Sequence, residues 1–158
     1  MGRIAFLIWL LIGFAPTLAS AQETEASIER GRYLVLITGC NDCHTEGYAE
    51  AKGDVPESEW LKGSALGFRG PWGTSYANNL RIGMAYLKEE AWLKHVQNVL
   101  PLKLPPMPWY NLQHMNEIDL RSIHKYVISL GVAGSTTPHN LLPGFEPDGQ
   151  YISFPDVP

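Results

Sequence analysis

The sequence predicts an all-α fold of about three main helices joined by long loops. Three segments carry apolar residues at helical spacing, namely 24–38, 87–100 and 117–130. No alternating apolar and polar pattern runs long enough to indicate a sheet. The chain has 15 glycines and 12 prolines, many of them between or after the helical segments, which predicts long loops there.

The third segment carries the fullest set of helix signals. Asn116 is placed to cap its N-terminus, Glu117 lies in its first turn, and Gly131 follows its last apolar residue. The second segment ends at Pro101, which cannot continue a helix. Between the first and second segments no sustained period is visible, so residues 47–86 are predicted to be mainly loop with short helical turns.

The N-terminal segment is typical of an exported protein. Arg3 precedes an apolar run from Ile4 to Ile12, and Ala19, Ser20 and Ala21 form an Ala-x-Ala cleavage signal. A retained membrane anchor is the alternative, but the run is shorter than the roughly 20 apolar residues that span a bilayer. We therefore expect a signal peptide over residues 1–21, a periplasmic protein, and no membrane span after cleavage.

The chain beyond this segment is acidic. Only one charged residue is lost with residues 1–21, which leaves 11 Lys and Arg against 16 Asp and Glu, a net charge of −5. Nucleic acid and anionic membrane surfaces are therefore not expected as partners. The length suits one small domain, predicted over 22–131. The Pro-rich segment 132–158 is predicted to be an extended tail packed on that domain.

Both cysteines lie in the stretch GCNDCHTEG, residues 39–47. On a helical turn, Cys40, Cys43 and His44 would converge on one side. The spacing C-x-x-C-H is the one required for covalent attachment of c-type haem, in which two thiols bond the two vinyl groups and the next histidine binds iron. The predicted export is an independent argument for this interpretation of the motif, because covalent attachment of haem takes place outside the cytoplasm.

Three other interpretations of this motif fit the chain less well. A disulfide would close a very short loop and gain little stability. A thioredoxin-like redox pair needs a preceding strand, whereas the preceding segment here is predicted to be helical. A structural zinc site needs four ligands, and the remaining histidines show no paired spacing with the cysteines.

The sixth ligand of such an iron is predicted to be Met107. Pro105, Pro106 and Pro108 fix the backbone around it, so the loop can hold a thioether in place. Met84 is the second candidate. Met115 and the four other histidines are weaker candidates: Met115 is expected to pack under a helix, and His95 and His124 are expected to be ordinary helix residues.

Residues 29–130 resemble the class I c-type cytochromes, in particular the single-haem domains that accompany periplasmic dehydrogenases. The motifs that carry this resemblance are, in order, RGRYLV, CNDCH, GPWGTSYANNLR, PPMPW and DLRSIHKYVISLG. The resemblance implies a small cytochrome c fold around one haem c. It also implies that the first and last helices cross where Gly31 meets the aromatic Tyr126.

The same resemblance implies three further cofactor-binding residues. The carbonyl of Pro71 would accept the Nδ1 proton of the axial His44. Asn79 and Arg81 would hydrogen-bond a haem propionate or polarise the methionine ligand. The alternative for these two is structural, with Asn79 shaping a turn and Arg81 solvated.

The predicted function is electron transfer, with no enzymatic activity of the protein itself. No constellation of nucleophile, base and orienting group is visible in the sequence. An apolar shell is expected to exclude water from the iron, and its members are Leu104, Trp109, Leu120, Ile123 and Val127. The expected partners are a periplasmic dehydrogenase as donor and a downstream acceptor. The alternative is a haem enzyme, or a gas or redox sensor, with an open or labile sixth position.

Overall fold

The structure is a computed structural model that describes residues 25–98 and 104–155. The predicted signal peptide 1–21 and its cleavage site lie outside the described residues. No helix within the described ranges is long and apolar enough to cross a membrane. The elements in chain order are α1 (Ile28–Ile37), α2 (Cys40–His44), a 3-10 turn (Glu57–Glu59), β1 (Gly67–Gly70), β2 (Gly73–Tyr76), α3 (Leu80–Ala85), α4 (Glu89–Gln97), α5 (Trp109–His114), α6 (Glu117–Ser129) and β3 (Tyr151–Ser153).

The all-α prediction is wrong, because the described residues contain a three-stranded mixed sheet. Strands β1 and β2 form an antiparallel hairpin in which Gly67 lies opposite Tyr76. Strand β3 pairs in parallel with the other side of β1, giving the order β2-β1-β3. The fold therefore combines helices with a sheet. The strands span three or four residues each, which is too short for an alternating pattern to be recognised.

The three predicted helices are confirmed, with shorter bounds, as α1, α4 and α6. The predicted cap of α6 is also confirmed, since the Oδ1 of Asn116 accepts a hydrogen bond of 2.8 Å from the amide of Asp119. Ser27 caps α1 in the same manner, accepting from the amide of Arg30. The segment predicted to be mainly loop contains the hairpin and α3 as well as turns.

Helices α1 and α6 cross in direct contact at Gly31. A Cβ atom built at Gly31 would lie 2.0 Å from the carbonyl oxygen of Ser122 and 2.7 Å from the Cβ of Tyr126. No side chain fits there without a shift of the backbone. Around the crossing, the buried core includes Val35, Leu120, Ile123, Tyr126 and Val127.

The described part of the C-terminal tail runs along the hairpin. Thr74 and Leu141 exchange two backbone hydrogen bonds, of 2.9 Å and 2.8 Å. Further on, the amide of Phe154 donates to the carbonyl of Arg69 at 2.7 Å. The Phe154 ring lies 5.6 Å from that of Trp72, centre to centre. The described part of the tail thus supplies the third strand of the sheet and is hydrogen-bonded to the hairpin at Leu141 and at Phe154.

Candidate cofactor site

A cavity of about 650 Å³ opens between the helices, the end of β2 and the C-terminal tail. This volume is within the usual range of cofactor pockets. Among the described residues, those that line the cavity include no Lys, Arg, Asp or Glu. Most of its wall is apolar, contributed by Phe68, Leu80, Ile82, Met84, Leu87, Trp92, Val96, Leu104, Met107, Trp109, Leu112 and Ile123. Such a wall suits a large and mainly apolar cofactor.

The five-residue helix α2 brings Cys40, Cys43 and His44 to this cavity. Gly39 precedes it in the left-handed conformation, with φ of +71°, and so turns the chain from α1 into α2. The two cysteines form no disulfide. The convergence predicted from the i, i+3, i+4 spacing is therefore present in the fold.

The environment of the two thiols favours their neutral form. Burial raises the pKa of both Cys40 and Cys43, and the carboxylate of Asp42 raises the pKa of Cys43 further. Redox-active C-x-x-C pairs have a thiol with a lowered pKa. In addition, the element before α2 is the helix α1 and not a strand. Both observations disfavour a thioredoxin-like interpretation of the motif.

The imidazole of His44 is buried and oriented by the backbone. Its Nδ1 lies 2.8 Å from the carbonyl oxygen of Asn78. A proton on Nδ1, donated to that carbonyl, leaves the lone pair on Nε2. Burial also lowers the pKa of His44. The side chain is therefore held as a neutral imidazole, which is the form that binds metal ions.

The orienting carbonyl differs from the one predicted. Pro71 was the predicted acceptor, but the structure gives this role to Asn78. Pro71, which is exposed, and Trp72, which is half-buried, instead form the turn between β1 and β2, and Pro71 is not among the cavity residues. Proline suits such a turn because its φ angle is fixed. The hairpin thus moves GPWG away from His44 and brings the residues that follow β2 to it.

Two thioethers reach the cavity. Met107 is half-buried in the loop before α5, and Met84 is buried on α3. Met84 belongs to the main hydrophobic core, whereas Met107 packs on the edge of that core. Met115 is not among the lining residues. Both predicted thioether candidates therefore reach the cavity. Packing in the core is enough to explain the position of Met84, so Met107 remains the first candidate for the ligand.

Arg81 is placed away from the cavity and has other partners. Its guanidinium donates to the carbonyls of Gly131 and Leu130, at the end of α6, and to that of Ser58. The side chain is buried, so neither the predicted propionate contact nor the solvated alternative describes it. Its role is to bond the carbonyls of the two residues that directly follow α6, where the chain leaves the helix.

Asn79 lines the cavity, but both ends of its amide have protein partners. Its Oδ1 accepts from the amide of Ile82 at 3.1 Å and so caps α3. Its Nδ2 donates to the carbonyls of Ala133, at 2.8 Å, and Ser135, at 3.2 Å. This agrees with the structural alternative for Asn79, which joins α3 to the start of the tail.

Several cavity residues escaped the sequence analysis. Asn78 acts through its backbone carbonyl, which no sequence pattern reveals. Segment 136–140 of the tail lines the cavity although it is distant in sequence from the motif. His95, a weaker ligand candidate that was expected to be an ordinary helix residue, also lines it, edge-on to Trp109 with ring centres 5.8 Å apart. Only His95 had a usable signal, because it lies three residues after the buried Trp92 on the same helix.

Of the predicted apolar shell, Leu104, Trp109 and Ile123 line the cavity. Leu120 and Val127 lie in the core beneath it. The shell thus comes from one face of α6, from the loop that carries Met107 and from the first residue of α5.

Comparison with known proteins gives no family for this chain. No protein-family model, curated protein or solved structure matches it significantly. The site is therefore interpreted from its own geometry.

The residues present fit a covalently attached haem. Two thiols at i and i+3, a neutral imidazole and a thioether line one apolar cavity. Within the described ranges, no group of three or more His, Cys, Asp and Glu side chains is placed to hold a metal ion. A set of two cysteines and one histidine therefore matches attachment of a porphyrin better than direct binding of a metal.

Proposed function

We propose that the protein is an exported electron carrier with one haem c, bonded through Cys40 and Cys43, whose iron is bound by His44 and Met107. The observation that carries this proposal is that the whole motif and Met107 line the same cavity. The motif and this loop are far apart in sequence and lie on different elements. A chance C-x-x-C-H would have no reason to face a cofactor-sized cavity shared with a methionine.

The bound haem supplies an iron that gains and loses one electron. His44 and Met107 would hold the iron from two sides, so the protein would keep the same ligands in both oxidation states. A thioether ligand favours the ferrous state relative to a second imidazole. The apolar wall excludes water and acts in the same direction, because it disfavours the additional charge of the ferric state.

We infer a carrier rather than an enzyme, because His44 and Met107 would both hold the iron. No position on the iron would then be left for a substrate. Electrons would pass between this protein and two partners, a periplasmic dehydrogenase as donor and a downstream acceptor. The acidic net charge of the chain beyond residue 21 favours partners that present a basic surface.

Mass spectrometry of the exported protein tests the proposal. The chain is expressed in a bacterium that attaches c-type haem, and the intact protein is recovered from the periplasm. We expect the mass of residues 22–158 plus one haem. The double variant Cys40→Ser, Cys43→Ser should lose that added mass. An unmodified wild-type chain would overturn the proposal.

Absorption spectra then identify the sixth ligand. The ferric wild-type protein should be low-spin with a weak sulfur-to-iron charge-transfer band at the red end. Met107→Ala should abolish that band, while the matched variants Met84→Ala and Met115→Ala should keep it. Loss of the band only in Met84→Ala would reassign the ligand. A high-spin wild-type spectrum would instead support the enzyme or sensor alternative.

A further inference from the structure

The sheet is hydrogen-bonded to the loop that carries Met107. Ser75 on β2 donates its hydroxyl proton to the carbonyl of Pro105, two residues before Met107. The Ser75 hydroxyl also lies 3.4 Å from the carbonyl of Phe68, a longer and weaker contact. Ser75 is only 7% exposed, so the bond is shielded from competition by water. Ser75 and Pro105 both line the cavity.

The loop around Met107 can form few hydrogen bonds to other elements of the fold. Three of its residues, Pro105, Pro106 and Pro108, have no amide proton, so they can bond to other elements only through their carbonyls. Two described bonds around Met107 are local, from the amide of Trp109 to Met107 and from that of Asn111 to Pro108. They shape the start of α5 without connecting the loop to the sheet.

The strand that carries Ser75 is itself held on both sides. On one side β2 pairs with β1 over four residue pairs. On the other side Thr74, next to Ser75, exchanges two backbone bonds with Leu141 of the tail. The Ser75 hydroxyl is thus presented from a fixed backbone. Its hydrogen bond can therefore hold the Pro105 carbonyl in a defined position.

We propose that Ser75 is a positioning residue for the axial thioether. Its hydrogen bond to the Pro105 carbonyl would hold the loop in the position from which the Met107 sulfur can bind the iron. This inference rests on the proposed function, because it assigns Ser75 a role in a coordination that the site is proposed to have. Without the hydroxyl, the loop gains freedom and added ligands compete better for the sixth position.

The test is imidazole binding to the ferric holoprotein of full length. Ser75→Ala should bind imidazole about tenfold more tightly than the wild type, a difference of about 1.4 kcal/mol. Its charge-transfer band should weaken and its reduction potential should fall, since the thioether stabilises the ferrous state. Ser75→Thr keeps the hydroxyl and should restore all three values to those of the wild type.

Ser122→Ala is the matched control. Ser122 is also buried and donates its hydroxyl proton to a backbone carbonyl, that of Ile118 within α6. Its Oγ accepts from the amide of Ser27, and neither partner belongs to the loop around Met107. Its loss should lower stability without changing imidazole affinity. The inference is overturned if Ser75→Ala binds imidazole as the wild type does, if Ser122→Ala has the same effect, or if Ser75→Thr fails to restore it. A wild type without haem would instead refute the proposed function.

Discussion

At the scale of single residues, the two neighbouring asparagines before α3 differ in what they contribute. Asn78 orients His44 through its backbone carbonyl, and its side chain is exposed. Asn79 acts through a buried side chain with three hydrogen bonds. The same residue type therefore has an exposed and a buried side chain at adjacent positions.

This difference predicts that the two alanine variants lose stability to different extents. Asn78→Ala keeps the carbonyl and should change the free energy of unfolding by less than about 0.5 kcal/mol. Asn79→Ala removes the cap of α3 and two anchors of the tail, and should cost about 2 kcal/mol. Urea unfolding of both variants measures this. Equal losses would contradict the assignment.

The hydrogen-bonded pair of Tyr126 and Glu57 makes the free energy of unfolding depend on pH. The Tyr126 hydroxyl donates to Oε1 of Glu57 at 2.6 Å. This bond, aided by Arg32, lowers the pKa of the Glu57 carboxyl, and burial together with Glu57 raises the pKa of Tyr126. A carboxyl with a lowered pKa in the folded state stabilises the fold above its unfolded pKa. That contribution is lost as the pH falls through the lowered pKa.

Tyr126→Phe should therefore destabilise the protein at pH 7 and less so in acid. We expect a loss of about 1 kcal/mol at pH 7, a modest value because the Glu57 side chain is 39% exposed. The difference from the wild type should shrink below about pH 4, near the reference pKa of a glutamate. Urea unfolding from pH 3 to 7 checks this. A constant difference would show that the bond to the ionised carboxylate is not the cause.

The site residues whose placement the sequence predicted are those that local helical spacing brings together. Cys40, Cys43 and His44 converge because three- and four-residue steps lie on one side of a helical turn. The Pro71 prediction had no such basis, since it depended on how the chain between the motif and α3 folds. A backbone carbonyl is present at every residue, so Asn78 could not have been singled out by its type.

At the scale of elements, the crossing of α1 and α6 depends on the absence of a side chain at Gly31. Gly31→Ala should destabilise the protein by about 3 kcal/mol, because the added methyl meets the backbone of Ser122 and one of the helices must move. Gly149→Ala is the control, since a Cβ there lies 3.9 Å from its nearest neighbour. Thermal unfolding compares them. Similar melting temperatures would contradict the observed packing.

The elements differ in how well the sequence predicted them. Helices α1, α4 and α6 were predicted because each has an apolar face longer than two turns. The sheet was missed because β1 begins and ends with glycine and its parallel partner β3 lies in the tail. A strand of three exposed residues such as β3 has no pattern of its own. Its formation depends on the edge that β1 offers, which is a property of the folded chain.

At the scale of the whole molecule, the tail is an integral part of the fold. Phe154 contacts the rings of Phe68 and Trp72 at the edge of the sheet. Phe154→Ala should therefore speed amide hydrogen exchange along β1 and β3 about tenfold. Under the proposed function it should leave haem content unchanged. Phe145→Ala in the same tail is the control, because its ring is exposed and makes no described ring contact. Equal exchange in both variants would contradict an anchoring role for Phe154.

The position of segment 136–140 along the chain has a consequence for assembly. Under the proposed function the polypeptide would be exported with its N-terminus first, so the thiols at positions 40 and 43 would reach the periplasm before this part of the cavity wall. The enzymes that attach haem would then meet an open pocket that lacks the wall formed by residues 136–140. Newly exported chains that already carry haem, yet whose tail is still cut by protease, would be the signature of that order of events.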